Sequence, residues 1–157
     1  MSDNHARFGT DLHLLPDLDR QHSSRDPGHD LMYTTRAATS QVDLETITGA
    51  DNLVQALLLR FLTPVGDLAV LGHSTYGSRL FELIGERNTE TNRNRAKLFV
   101  LQALADEPRV KKVLSVQVTQ NHTVREEIDI KISLIAIDSD TPLNLVFPFF
   151  LEGGVTP

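Results

Sequence analysis

Residues 52–85 read NLVQALLLRFLTPVGDLAVLGHSTYGSRLFELIG. Val54, Leu57, Leu58, Phe61 and Leu62 recur at the spacing of one helix face, so the first half predicts an amphipathic helix. Thr63-Pro64-Val65-Gly66 ends it. A proline pushes the residue before it out of the helical region, and Gly66 tolerates a turn that other residues resist. After a short loop, Ser78 to Ile84 predicts a second short helix that packs Leu80, Phe81 and Ile84, with Gly85 closing it. Upstream, Asp43 to Gly49 leads into the first helix, and Asp51 is placed to cap its free N–H groups.

The period stays helical after Gly85. Glu86 to Asn94 is a polar connector in which Asn88 or Thr89 is placed to cap the next helix. Ala96, Phe99, Val100, Ala103 and Leu104 then form the clearest amphipathic helix of the chain, and Pro108 stops it. Beyond this point the period becomes two. Leu114, Val116 and Val118 alternate with polar residues, as do Val124, Ile128, Ile130, Ile132 and Leu134. Asn121-His122 is the expected hairpin turn between them. Asp138 to Pro142 is the next turn, and Leu143, Leu145, Phe147, Phe149 and Leu151 alternate in a third strand. Pro148 lacks an N–H, which assigns that strand to a sheet edge. The predicted class is α+β: an N-terminal extended arm, about three helices, then a small three-stranded antiparallel or mixed sheet with an exposed edge.

Residues 1–42 are polar and without sustained period, so they predict an extended arm ordered by contact with another surface. The rest, 43–157, is the folded domain. Asp26-Pro27-Gly28 reads as a turn, and the Leu12–Leu15 and Leu31–Tyr33 clusters are short apolar contacts. His5, His13, His22 and His29 lie in this arm, but their spacing is not that of a metal site and no cysteine assists.

Composition narrows the function classes. The chain has 157 residues and a net charge of −6. Without a basic run, nucleic acid is not the expected partner. The absence of cysteine excludes a disulfide framework and a thiolate metal site. No stretch approaches the roughly 20 apolar residues of a membrane span, and no signal peptide is visible at the start. No cofactor-binding loop or metalloprotease motif is found.

Three constellations carry possible function. In Glu107-Pro108-Arg109 the proline fixes a rigid corner between an acceptor and a planar fork of donors, which suits recognition of another chain; the alternative is two solvated charges at a helix end. In Tyr76-Gly77-Ser78-Arg79-Leu80, Arg79 is either a contact residue or an ion-pair partner of Glu82 three residues on. Glu82 with Glu86, Glu126-Glu127 and Asp138-x-Asp140 offer carboxylate pairs of the kind a glycosidase needs. With no tryptophan and two tyrosines the chain has little aromatic surface to hold sugar rings.

Taken together, Leu62-Thr63-Pro64-x-Gly66, Leu71-Gly72-His73, Tyr76-Gly77-Ser78-Arg79-Leu80 and Glu107-Pro108-Arg109 resemble the gene-25-like (GPW) baseplate wedge, or sheath-initiator, family of contractile injection machines. Contractile phage tails, type VI secretion systems and extracellular phage-tail-like particles carry its members. The resemblance runs roughly from Asn52 to Val118. It implies a structural, non-catalytic protein without cofactor, made in the cytoplasm and built into a baseplate. The implied partners are other wedge proteins, sheath subunits, and tube or hub proteins, with no nucleic acid and no membrane insertion. Roughly six copies around a ring would follow by analogy with such symmetric assemblies. It also implies that Glu107, Pro108 and Arg109 sit at the joint with neighbouring wedge proteins. Tyr76 and Arg79 are candidate contacts, and the Leu143, Leu145, Phe147, Phe149 strand is a candidate seed for sheath. The alternatives are a lysozyme-like peptidoglycan hydrolase of the same particle and a generic adaptor.

Overall fold

The structure, a computed structural model, describes residues 8–14 and 33–151. Among these residues it has two α-helices and seven strands, confirming an α+β class. The chain divides into two compact units, Met1–Gln55 and Ala56–Pro157.

In the first unit, the described residues carry strands of three residues each. Strand β1 (Thr10–Leu12) pairs antiparallel with β4 (Thr46–Thr48), and β2 (Tyr33–Thr35) with β3 (Val42–Leu44). Such short strands need outside support, and helix α1 (Gly49–Leu62) gives it to the segment around β1 through two amides. The Gln55 side chain donates to the Leu12 carbonyl and accepts from the Leu14 N–H, both at 2.8 Å, as a neighbouring strand would. Asn52 donates to the Phe8 carbonyl at 2.7 Å. The helix begins at Gly49, so Asp51 lies inside its first turn and is not its cap. There the carboxylate still meets the positive end of the helix dipole. His13 bonds Glu45 at 2.9 Å, and no group that could hold a metal ion is found among the described residues. His5, His22, His29 and the Asp26-Pro27-Gly28 turn lie outside them.

The second unit is built on helix α2 (Glu90–Ala105) and a three-stranded antiparallel sheet, β5 (Val110–Gln120), β6 (Glu127–Ala136) and β7 (Pro142–Phe150), in that spatial order. Thr89 caps α2, accepting from the Asn92 N–H. Asn88 is used otherwise: its amide reaches over to the Arg125 and Glu127 carbonyls of the β5–β6 hairpin. Ala96, Phe99, Val100, Ala103 and Leu104 are buried, as their spacing predicts, and α2 packs on β5. Ile128, Ile130, Ile132 and Leu134 of β6 and Leu145, Phe147 and Phe149 of β7 supply the inner face of the sheet. Phe147 stacks on Phe61 of α1 with ring centres 5.2 Å apart. Each such buried side chain contributes about 1.5–3 kcal/mol by leaving water.

Three expectations need correction here. The segment after Ser78 is a 3₁₀ turn, Leu80–Leu83, in which residues three apart share a side. It therefore buries Leu80 and Leu83 and leaves Phe81 and Ile84 exposed. Strand β5 carries register shifts between Val110 and Lys112 and between Val113 and Ser115. An extra residue reverses the alternation, so Leu114 is exposed while Val116 is buried. The hairpin turn spans more than Asn121-His122: the Asn121 side chain accepts from the Thr123 and Val124 N–H groups, and β6 starts only at Glu127, leaving Val124 in the loop.

Candidate protein-interaction site

The Glu107-Pro108-Arg109 corner closes on a residue the sequence did not single out. Glu107 is only 4% exposed. Arg109 donates its Nε to Glu107 Oε1 at 2.6 Å, and Arg60 of α1 donates Nη2 to Oε2 at 3.3 Å. Backbone bonds pin the same place: the Val110 N–H reaches the Glu107 carbonyl and the Ile137 N–H reaches the Arg109 carbonyl. Burial alone would raise the Glu107 pKa. The hydrogen bond and charge of Arg109, with the charge of Arg60, outweigh it and hold the carboxyl below its usual value. Arg60 is also buried, its guanidinium lies over the Tyr76 ring at 4.6 Å, and its Nε has no hydrogen-bond partner among the described residues. Burial raises the Tyr76 hydroxyl pKa, against the opposing pull of Arg60. Pro108 is exposed, and Arg109 is a quarter exposed. The arrangement is two cations on one carboxylate, fixed by helix, corner and ring, with Pro108 and parts of Arg109 and Tyr76 at the surface.

Tyr76 thus joins the corner, whereas Arg79 does not join its hydrogen bonds. Arg79 makes a two-point pair with Glu82 at 2.6 and 3.0 Å, and covers the Phe99 ring at 4.8 Å. Glu82 is drawn below its usual pKa by that hydrogen bond. Ser78 and Gly77 form the neck of the loop between these residues. The Ser78 N–H donates to the Thr63 carbonyl, and the Ser78 carbonyl accepts from the Val65 N–H. At Gly77 any Cβ would lie 2.5 Å from the Thr63 oxygen, so no other residue fits.

The side chains of Leu145, Phe147 and Phe149 are buried in the core of this chain, and that of Leu143 is half-buried. What β7 offers outward is its backbone edge. Leu151 N–H donates to the Glu126 carbonyl. With the register Phe149↔Ile128 and Phe147↔Ile130, the odd-numbered residues of β7 thus bond to β6. Pro142, Asn144, Val146 and Pro148 face their backbone groups away. Both prolines fall on this outer side, where a missing N–H breaks no ladder bond.

A second buried acid stands at the hairpin. Glu127, 8% exposed, and Asp129 share one donor, the Asn121 amide nitrogen, at 2.9 and 3.1 Å. Burial, with the charge of Asp129, raises the Glu127 pKa. The adjoining concavity of about 640 Å³ is lined by Arg93, His122, Arg125 and Lys131, among others.

Arg60 had one signal in the sequence: a cation between Leu58 and Phe61, both on the apolar face. No family model matches the chain, and no curated protein sequence matches it. Among solved structures, the fold is similar to that of a Geobacter sulfurreducens protein provisionally described as a tail lysozyme. The two are 21% identical, with a TM-score of 0.57 over 67% of this chain and 93% of that one; the likeness is one of fold.

Proposed function

We propose that the chain is a structural part of the baseplate of a contractile, phage-tail-like particle, and that the outer edge of β7 seeds the sheath. The observation that carries this reading is the edge itself. Unpaired N–H and C=O groups on an edge strand accept another strand, and natural proteins blunt such edges. Here two prolines flank Asn144 and Val146, leaving a short window instead of a closed edge. The sequence resemblance to sheath initiators and the fold likeness to a protein described as a tail lysozyme support the same assignment. In this reading the buried ion cluster fixes Pro108 and Arg109 toward a neighbouring wedge protein. The chain then performs no chemistry and is assembled in several copies from the cytoplasm.

The test is Val146→Pro. Residue 146 faces its N–H outward, so the β6–β7 ladder keeps its bonds and the monomer is expected to stay folded by circular dichroism. Sheath is expected not to start on baseplates carrying the variant. Normal sheath growth would overturn the assignment of β7.

A second reading, a peptidoglycan hydrolase, draws on Glu127 and Asp129, an acid of raised pKa beside another carboxylate. Against it, Asn121 ties both groups, and the neighbouring concavity is lined by cations.

A further inference from the structure

The loop that leaves the neck at Thr63 and returns at Ser78 carries the most exposed apolar residues among the described residues of the second unit. Val70 is 96% exposed and Leu71 is 71% exposed, side by side in a 3₁₀ turn, Ala69–Leu71. Two adjacent aliphatic side chains in water are costly, and a flexible loop would fold them inward. This loop cannot. The Gly72 N–H bonds the Ala69 carbonyl and the His73 N–H bonds the Leu68 carbonyl, both at 3.0 Å, with Gly72 left-handed at φ 86°. That pair of bonds is the Schellman closure, which locks the end of a turn. Ala69 N–H to Gly66, Leu71 N–H to Leu68 and the neck at Ser78 hold the rest.

We infer that residues 66–73 form a preformed apolar plug that seats in a concave apolar socket, rimmed by a cation, on a second protein. The shape is convex, so the partner must supply the cavity. The charge selects the rim: Asp67 is the sole acidic or basic group from Pro64 to Ser78 apart from His73. That charge also argues against a lipid surface, since a bilayer-binding loop carries lysine or arginine beside its apolar residues. Because the plug is rigid before contact, little ordering opposes binding. Burying each side chain is worth about ten- to a hundredfold in affinity.

The experiment places benzoylphenylalanine at position 70 of the full chain, and in a control at Lys97, an exposed site on α2. Each is co-expressed with the proteins encoded beside this one and irradiated. The expected result is one protein crosslinked at position 70 and not at 97, through an apolar surface with a lysine or arginine in reach. Leu71→Ser is expected to lower its co-purification about tenfold or more without moving the thermal midpoint. Gly72→Ala keeps both side chains but strains the left-handed turn, and is expected to weaken the same complex. Absence of a crosslink, equal crosslinking at both positions, capture of a second copy of this chain alone, or lipid-vesicle binding lost in Leu71→Ser would each overturn the inference. Val146→Pro is expected to leave the position-70 crosslink unchanged, which separates failure of the plug from failure of the sheath-seeding assignment.

Discussion

Glu107 and Glu127 are the same residue type at nearly the same depth, 4% and 8% exposed, yet the fold pushes their protons in opposite directions. At Glu107 two guanidiniums converge on the carboxylate and keep it ionised. At Glu127 the sole side-chain donor among the described residues is a neutral amide, shared with a second carboxylate, and the proton is retained more strongly. Burial pushes the pKa upward in both places; the charge of the nearest partner decides the sign of the net shift. A buried acid is therefore a lock in one region and a weak point in the other.

The largest way to break this contrast is Glu107→Gln. It leaves Arg60 and Arg109 without a counter-charge, and breaking a buried pair costs about 3 kcal/mol or more. Urea unfolding is expected to show that loss; a change below about 1 kcal/mol would mean the corner is not held by charge. Asn121→Ala comes next. It removes the donor shared by Glu127 and Asp129 and the acceptor that closes the hairpin turn. The expected loss is about 2 kcal/mol, the scale of leaving buried polar groups unpaired.

Smallest in size, but sharpest in sign, is Glu127→Gln. A carboxyl whose folded pKa is raised contributes fully below its unfolded value and loses that contribution as pH rises through the folded value. Wild type is therefore expected to lose stability on that rise, starting near the ordinary glutamate value of 4.5, while the glutamine variant does not. Glu107 works the other way: its contribution is present above the ordinary value and lost as pH falls through the depressed one. Thermal midpoints against pH would test both. Parallel curves for wild type and Glu127→Gln would remove the contrast.

Much of the sheet and α2 was legible because both sides of each element keep one period. Ala96 to Leu104 and Ile128 to Leu134 are buried where their spacing says. Legibility stopped where geometry changed the period locally. A 3₁₀ turn moved burial from Phe81 and Ile84 to Leu83, and a bulge turned Leu114 outward. Three-residue strands such as Tyr33–Thr35 are too short to show alternation at all. In the candidate site, Glu107 and Arg109 were visible as a charged corner, but Arg60 stands 47 residues away on an apolar helix. Its role exists only once the fold brings the two together. Leu71 was visible as part of Leu71-Gly72-His73, but no period in the sequence marks it or Val70 as exposed.

The two-bond neck at Thr63 and Ser78 has a consequence for how this chain can change over generations. Tyr76 is tied to the frame by the Arg60 guanidinium over its ring, whereas the backbone hydrogen bonds of residues 66–75 stay within the loop. Lengthening such a closed loop costs little, about 0.6 kcal/mol for each doubling. Residues 66–75 are thus a cassette, free to vary in length and wording, whereas Tyr76 is tied to Arg60 and Gly77 admits no variation, since even one added carbon would strike the Thr63 oxygen. Specificity can drift in the cassette while the hinge pin stays fixed.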